Sequence, residues 1–183
     1  MLIYKKPDSY YYMDNNFLAY LQQLEMMAFF SGYPLLYAVT LFIAGNQPMK
    51  NGFSSRISTL LPFAYALVGT LFLGLQLKNA YPDYSIVYFK ETILQPYLLI
   101  WGLLSILFWI PGLARIKGLS LLHSLVFFFL LVKDIFLQSS LDKNLVRNDM
   151  KIYTDSLLLN LGTFAFIILL AFLIAKIKKK VRS

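Results

Sequence analysis

The chain has 183 residues, of which 58% are hydrophobic and 14% charged, with a net charge of +8 and no cysteine. Soluble domains are nearer 45–50% apolar and ~25% charged, so lipid is the expected solvent for most of this chain. The lack of cysteine excludes disulfides, thiolate metal sites and thiol nucleophiles together.

Residues 1–25 are too polar to serve as the apolar core of a cleavable signal. Phe17, Leu18, Leu21 and Leu24 recur at helical spacing, and Asp14 or Asn15 is suited to cap a helix there. The segment is expected to form an outer, interfacial helix that feeds the first span.

Five apolar runs follow, centred on 27–45, 58–77, 94–113, 119–138 and 156–175. Each is close to the ~20 residues that a helix needs to cross the hydrocarbon core. The expected fold is therefore all-α, a polytopic integral membrane protein with five transmembrane helices in a compact bundle over 26–176. A basic tail at 177–183 completes it. Pro34, Pro62 and Pro96 are expected in the first turns of their spans, where a missing N–H is tolerated. Pro111 and Gly112 should end the third span before a short basic turn, Ser120 should cap the fourth, and Thr154 with Asp155 should start the fifth.

Small residues let helices approach closely in lipid. Ala66, Thr70 and Gly74 form such a stripe on the second span, as a packing or partner face, with Gly102 and Ser105 on the third and Gly162, Ala171 and Ala175 on the last. The loop at 79–92, with Tyr81, Tyr84, Tyr88 and Phe89, reads as a membrane-hugging connector.

The charges suggest the threading. With the C-terminus in the cytoplasm and the N-terminus outside, the inner segments hold nine Lys or Arg and no acid, while the outer ones hold eight against all nine acids. Lys176, Lys178, Lys179, Lys180 and Arg182 are the expected anchors for anionic lipid headgroups. A bacterial cytoplasmic (inner) membrane is the expected location.

Ionisable residues within spans cost ~2.5–3.5 kcal/mol each near the centre, so they are the first candidates for function. The fourth span carries His123, Lys133 and Asp134, and Gln95, Asp155 and Asn160 are the polar residues at comparable places on neighbouring spans. Lys133 and Asp134 are adjacent and diverge by ~100° around the helix, so they cannot form an i,i+4 pair. One histidine without Cys or carboxylate at ligand spacing implies neither metal nor cofactor. No phosphate loop, metalloprotease motif or catalytic triad is present, which argues against an enzyme. The short basic tail argues against nucleic-acid binding.

Two expectations result. The first is a non-enzymatic integral subunit or accessory protein of a larger membrane complex, whose partners are lipid and other membrane proteins or copies of itself. The second is a small channel or ion-coupled transporter, or a proton-path partner of a membrane motor, in which Lys133, Asp134 and His123 line the path.

Overall fold

In the computed structural model, backbone is described for residues 9–45, 52–80, 94–139 and 143–182, and side chains for 19–43, 57–80, 94–116, 118–137 and 146–181. The described residues are almost entirely helical and contain no strand. Helix α1 spans Ser9–Phe30, α2 Tyr33–Gly45 and α3 Gly52–Asn79. Then come α4 at Pro96–Leu104, a 3-10 turn at Ser105–Trp109, α5 at Pro111–Ala114, α6 at Lys117–Ser139 and α7 at Lys143–Arg182.

Four segments are long and apolar enough to cross a membrane: Ala19–Ile43, Ile57–Asn79, Gly118–Leu137 and Val146–Val181. The expected third span is a shorter apolar helix, Pro96–Trp109. Its α-helical hydrogen bonding gives way to 3-10 geometry at Ser105, and Ile110 is extended at φ −73° and ψ 118° ahead of Pro111. Pro111 is thus the first residue of a four-residue helix, and the α4 segment ends before it.

Helix starts differ from those read in the sequence because helices begin well outside the apolar runs. Asp14 and Asn15 lie inside α1, which starts at Ser9. Pro62 lies deep inside α3, where it removes a backbone donor. Ser120 lies one turn into α6 and bonds elsewhere. Thr154 and Asp155 lie three turns into α7, and the Thr154 hydroxyl donates to the Met150 carbonyl instead of capping. The loop beyond Ala80, with Tyr81, Tyr84, Tyr88 and Phe89, lies outside the described residues.

The α1–α2 span runs through the middle of the bundle, packed by α3, α6 and α7. Met26, Phe30, Tyr33, Leu36 and Tyr37 are its buried face. Phe30 is the hub, with ring centroids 4.7 Å from Phe127, 5.3 Å from Phe72 and 5.7 Å from Tyr65. In lipid, such close packing holds helices together, because burial from water is no longer the driving force.

Three close approaches set the spacing. A Cβ on Gly32 would lie 2.5 Å from the Leu157 backbone nitrogen, so α7 crosses directly over the α1–α2 junction. A Cβ on Gly69 would overlap the Ser105 hydroxyl, which locks the 3-10 turn against α3. Gly102 does the same against Phe30 and Phe72.

Candidate functional site

The first span is discontinuous. Helix α1 stops at Phe30, Ser31 and Gly32 form a turn, and Pro34 opens α2 without an N–H to give. Broken helices at membrane depth persist only where other groups satisfy the freed backbone. Here α7 supplies them. The Gly32 N–H donates to Ser156 Oγ at 2.9 Å, and Asn160 Nδ2 donates to the carbonyls of Phe29 and Ser156, each at 2.8 Å. Asn160 is buried and its Oδ1 has no hydrogen-bond partner among the described residues. Asn160 thus ties the α1 side of the break to α7.

Beside the break, aromatic residues enclose the single histidine. The Tyr65 hydroxyl lies 2.7 Å from His123 Nδ1, and the Trp101 ring stacks on the imidazole at 4.7 Å with a 5° tilt. The Trp101 indole N–H donates to the His123 carbonyl at 3.1 Å. Tyr33 stands against Tyr65, with centroids 4.4 Å apart, and its hydroxyl shares a 2.9 Å hydrogen bond with Ser120 Oγ. His123 Nε2 is buried without a partner among the described residues, and His123 forms part of the wall of a cavity of about 220 Å³. The other walls are apolar, Leu104, Phe108, Leu119 and Leu122 among them.

A third cluster lies eleven residues, or ~16 Å, further along α6. Gln23 Nε2 donates to Asp134 Oδ2 at 2.7 Å, so Asp134 turns into the bundle while Lys133 is exposed. Asp149 of α7 is fully buried, and neither of its carboxyl oxygens has a hydrogen-bond partner among the described residues. Gln76 Nε2 donates to Glu25 Oε1 at 3.0 Å. Gln22 Oε1 accepts from the backbone N–H groups of Leu94 and Gln95 at 3.0 and 3.3 Å, and Gln95 Nε2 donates to the Ala19 carbonyl at 3.1 Å. Amides of α1 thereby seat the start of α4.

The six polar candidates therefore divide among separate places. Asp134 finds Gln23, while Asp155 is exposed on α7 and Gln95 serves α4. His123 and Asp134 share one buried stripe of α6, but Phe127 and Leu131 fill the interval between them. Glu25, Gln23 and Asp149 matter more to this end of the bundle than the sequence suggests, because their apolar neighbours hide the face they occupy.

The small-residue stripe on α3 is used unevenly. Ala66 is fully buried, whereas Thr70 accepts from the Trp109 indole N–H at 2.9 Å and Gly74 has no described residue within 4 Å of where its Cβ would stand. Trp109 is thus tied to α3. Gly162 is equally open and borders a groove of about 450 Å³ between α3 and α7, with Leu67, Leu71, Leu158 and Phe166. The basic tail continues α7 as exposed helix through Lys176, Lys178, Lys179 and Lys180; the helix ends at Arg182, whose side chain lies outside the described residues. Among the described residues, no group of three or more His, Asp or Glu side chains is placed to hold a metal ion. No family model, curated protein or solved structure matches the chain.

Proposed function

We propose that this chain is a non-enzymatic integral subunit or accessory protein of a larger membrane complex. The carrying observation is the pair Gly74 and Gly162. Glycine within a helix costs roughly 0.5–1 kcal/mol against alanine, and neither of these glycines is repaid by a close approach among the described residues. Small residues on an outward helix face are what a second membrane helix uses to come near. Helix α7 has surface to offer as well: 22% of its most apolar stretch is buried, against 56% for the central α1–α2 span.

The proposal includes five crossings. The segment from Pro96 to Ala114 joins nine α-helical residues, five in 3-10 geometry and a short helix. At 1.5 and 2.0 Å per residue it reaches roughly 30 Å, enough to cross. The proposed orientation has the N-terminus outside and the basic tail at the cytoplasmic face of a bacterial inner membrane, on anionic headgroups.

Photo-crosslinkers at Gly74, Gly162 and Phe172 in native membranes test the reading. Discrete protein adducts at the two glycines are expected. Lipid adducts alone, with a lone monomer after mild extraction, would overturn it.

A second reading, an ion path along α6, draws on the shared stripe of His123 and Asp134. It requires Phe127 and Leu131 to part. Vesicles whose proton or ion flux is unchanged by Asp134→Asn would remove it.

A further inference from the structure

We propose that the pocket between α3 and α5 binds one anionic phospholipid, with its phosphate on the Arg115 guanidinium and the start of an acyl chain against Phe63. This site goes beyond the subunit reading and does not depend on it.

The pocket stands where the apolar stretches of two helices begin. Thr59 is two residues into Ile57–Asn79, and Arg115 comes three residues before Gly118–Leu137. That is the level of phosphates and glycerol esters, at the edge of the hydrocarbon core. Thr59, Phe63, Pro111, Ala114 and Arg115 line a space of about 310 Å³. Small-molecule sites begin at roughly this size, ~300 Å³. Thr59, Pro111 and Arg115 are exposed and Phe63 is half-buried, so both the charge and the apolar wall can be reached from the bilayer. Phe63 lies one helical turn, ~6 Å, beyond Thr59. Its ring is 6.2 Å from that of Trp109, and the two rings lead from the boundary toward the hydrocarbon.

Charge decides the occupant. No ion pair holds the Arg115 guanidinium among the described residues. The segments 46–56 and 111–119, which adjoin the pocket in the chain, carry Lys50, Arg56, Arg115 and Lys117 and no acidic residue. Along α6, the first acid is Asp134, seventeen residues or ~25 Å past the start of the helix at Lys117. The complement to Arg115 must therefore come from outside the chain. A guanidinium takes two phosphate oxygens in one plane, a geometry that a lysine ammonium cannot match. Basic residues in the adjoining segments favour a headgroup with net negative charge over one whose own ammonium offsets the phosphate. The basic tail differs, because Lys176, Lys178 and Lys179 stand on exposed helix and line no described pocket.

Native mass spectrometry of the full chain, released from mild detergent, tests the site. Dioleoylphosphatidylglycerol is added in one arm and dioleoylphosphatidylcholine in the other. One phosphatidylglycerol per chain is expected to be held preferentially. Arg115→Gln should weaken that binding roughly tenfold or more, as loss of a charge-assisted hydrogen bond requires. Lys178→Gln removes an equally exposed charge from the tail and should change it little. Thr59→Trp fills the pocket from its wall, keeps every charge, and should weaken binding as Arg115→Gln does. Equal retention of the two lipids would overturn the site, as would equal losses from Arg115→Gln and Lys178→Gln, which would make the attraction one of net charge alone. Unchanged binding to Thr59→Trp would place the lipid elsewhere and overturn it too.

Discussion

The backbone N–H of Gly32 donates to the Ser156 hydroxyl at 2.9 Å, joining the turn in the first span to the middle of the last. A Cβ at Gly32 would meet the backbone of Ser156 and Leu157 at 2.5–2.7 Å, and backbone cannot rotate away as a side chain can. Gly32→Ala should therefore push α7 off the junction. Overpacking of this kind costs ~1–3 kcal/mol, at the upper end here because a hydrogen bond is lost with it. Thermal unfolding in mild detergent should show a clear drop, and an unchanged midpoint would mean that α7 does not cross there.

Asn160 gives a graded series at the same place. Its amide nitrogen serves two carbonyls, of Phe29 and Ser156. Asn160→Ala leaves the Phe29 carbonyl without this donor inside the bundle, at a cost of ~1–3 kcal/mol. Asn160→Asp is expected to be worse, because it turns a carboxyl oxygen toward two carbonyl oxygens. The predicted order of unfolding midpoints is wild type, then Ala, then Asp. Asp equal to wild type would place the amide elsewhere.

How far the sequence reveals this arrangement depends on what each residue signals. Apolar runs of span length mark the long helices directly, because lipid demands them. Pro34 signals a disturbance of the first span, yet the break at Ser31–Gly32 depends on Ser156 and Asn160, which lie more than 120 residues away. Nothing local encodes that pairing. Helix starts are misread for a different reason: in α7 the polar stretch from Lys143 remains helical, so the apolar onset near Thr154 is not the helix onset. His123 and Asp134 are legible as buried polar groups. Their partners, Tyr65 and Gln23, are not, since a tyrosine or glutamine in such a chain is as easily at the headgroups.

The Gln23–Asp134 hydrogen bond, at 2.7 Å, should appear as a coupling between α1 and α6. Asp134→Asn keeps an acceptor oxygen for the Gln23 amide and should change stability little. Asp134→Leu strands that amide and should cost more. In a double-mutant cycle with Gln23→Leu, the coupling is expected at roughly 0.5–2 kcal/mol, in the range of polar pairs within membranes. Additive effects would show that the two side chains do not meet.

The crossing proposed for Pro96–Ala114 can be tested without background, since the chain contains no cysteine. Single cysteines at Asn79 and Ile116, both exposed, flank the loop, α4 and α5. A membrane-impermeant thiol reagent applied to intact cells should label Asn79→Cys and spare Ile116→Cys until the cells are opened. Labelling of both from one side would make the segment re-entrant and reduce the crossings to four.

The two open glycines separate the stability of the chain from its association. Gly74→Ala and Gly162→Ala add a methyl group where no described residue lies within 4 Å, so the isolated chain should gain roughly 0.5–1 kcal/mol from the stiffer helix. Gly74→Leu and Gly162→Leu place a larger side chain at the same two exposed positions. A partner helix that comes close at these positions would be held off by the larger side chain. The leucine variants should unfold no earlier than wild type after purification, yet recover much less partner when extracted from native membranes. Gly32→Ala is the contrasting control, weakening the fold itself. Equal recovery of partners by Gly74→Leu, Gly162→Leu and wild type would move the association surface away from these glycines, and with it the observation on which the subunit reading rests.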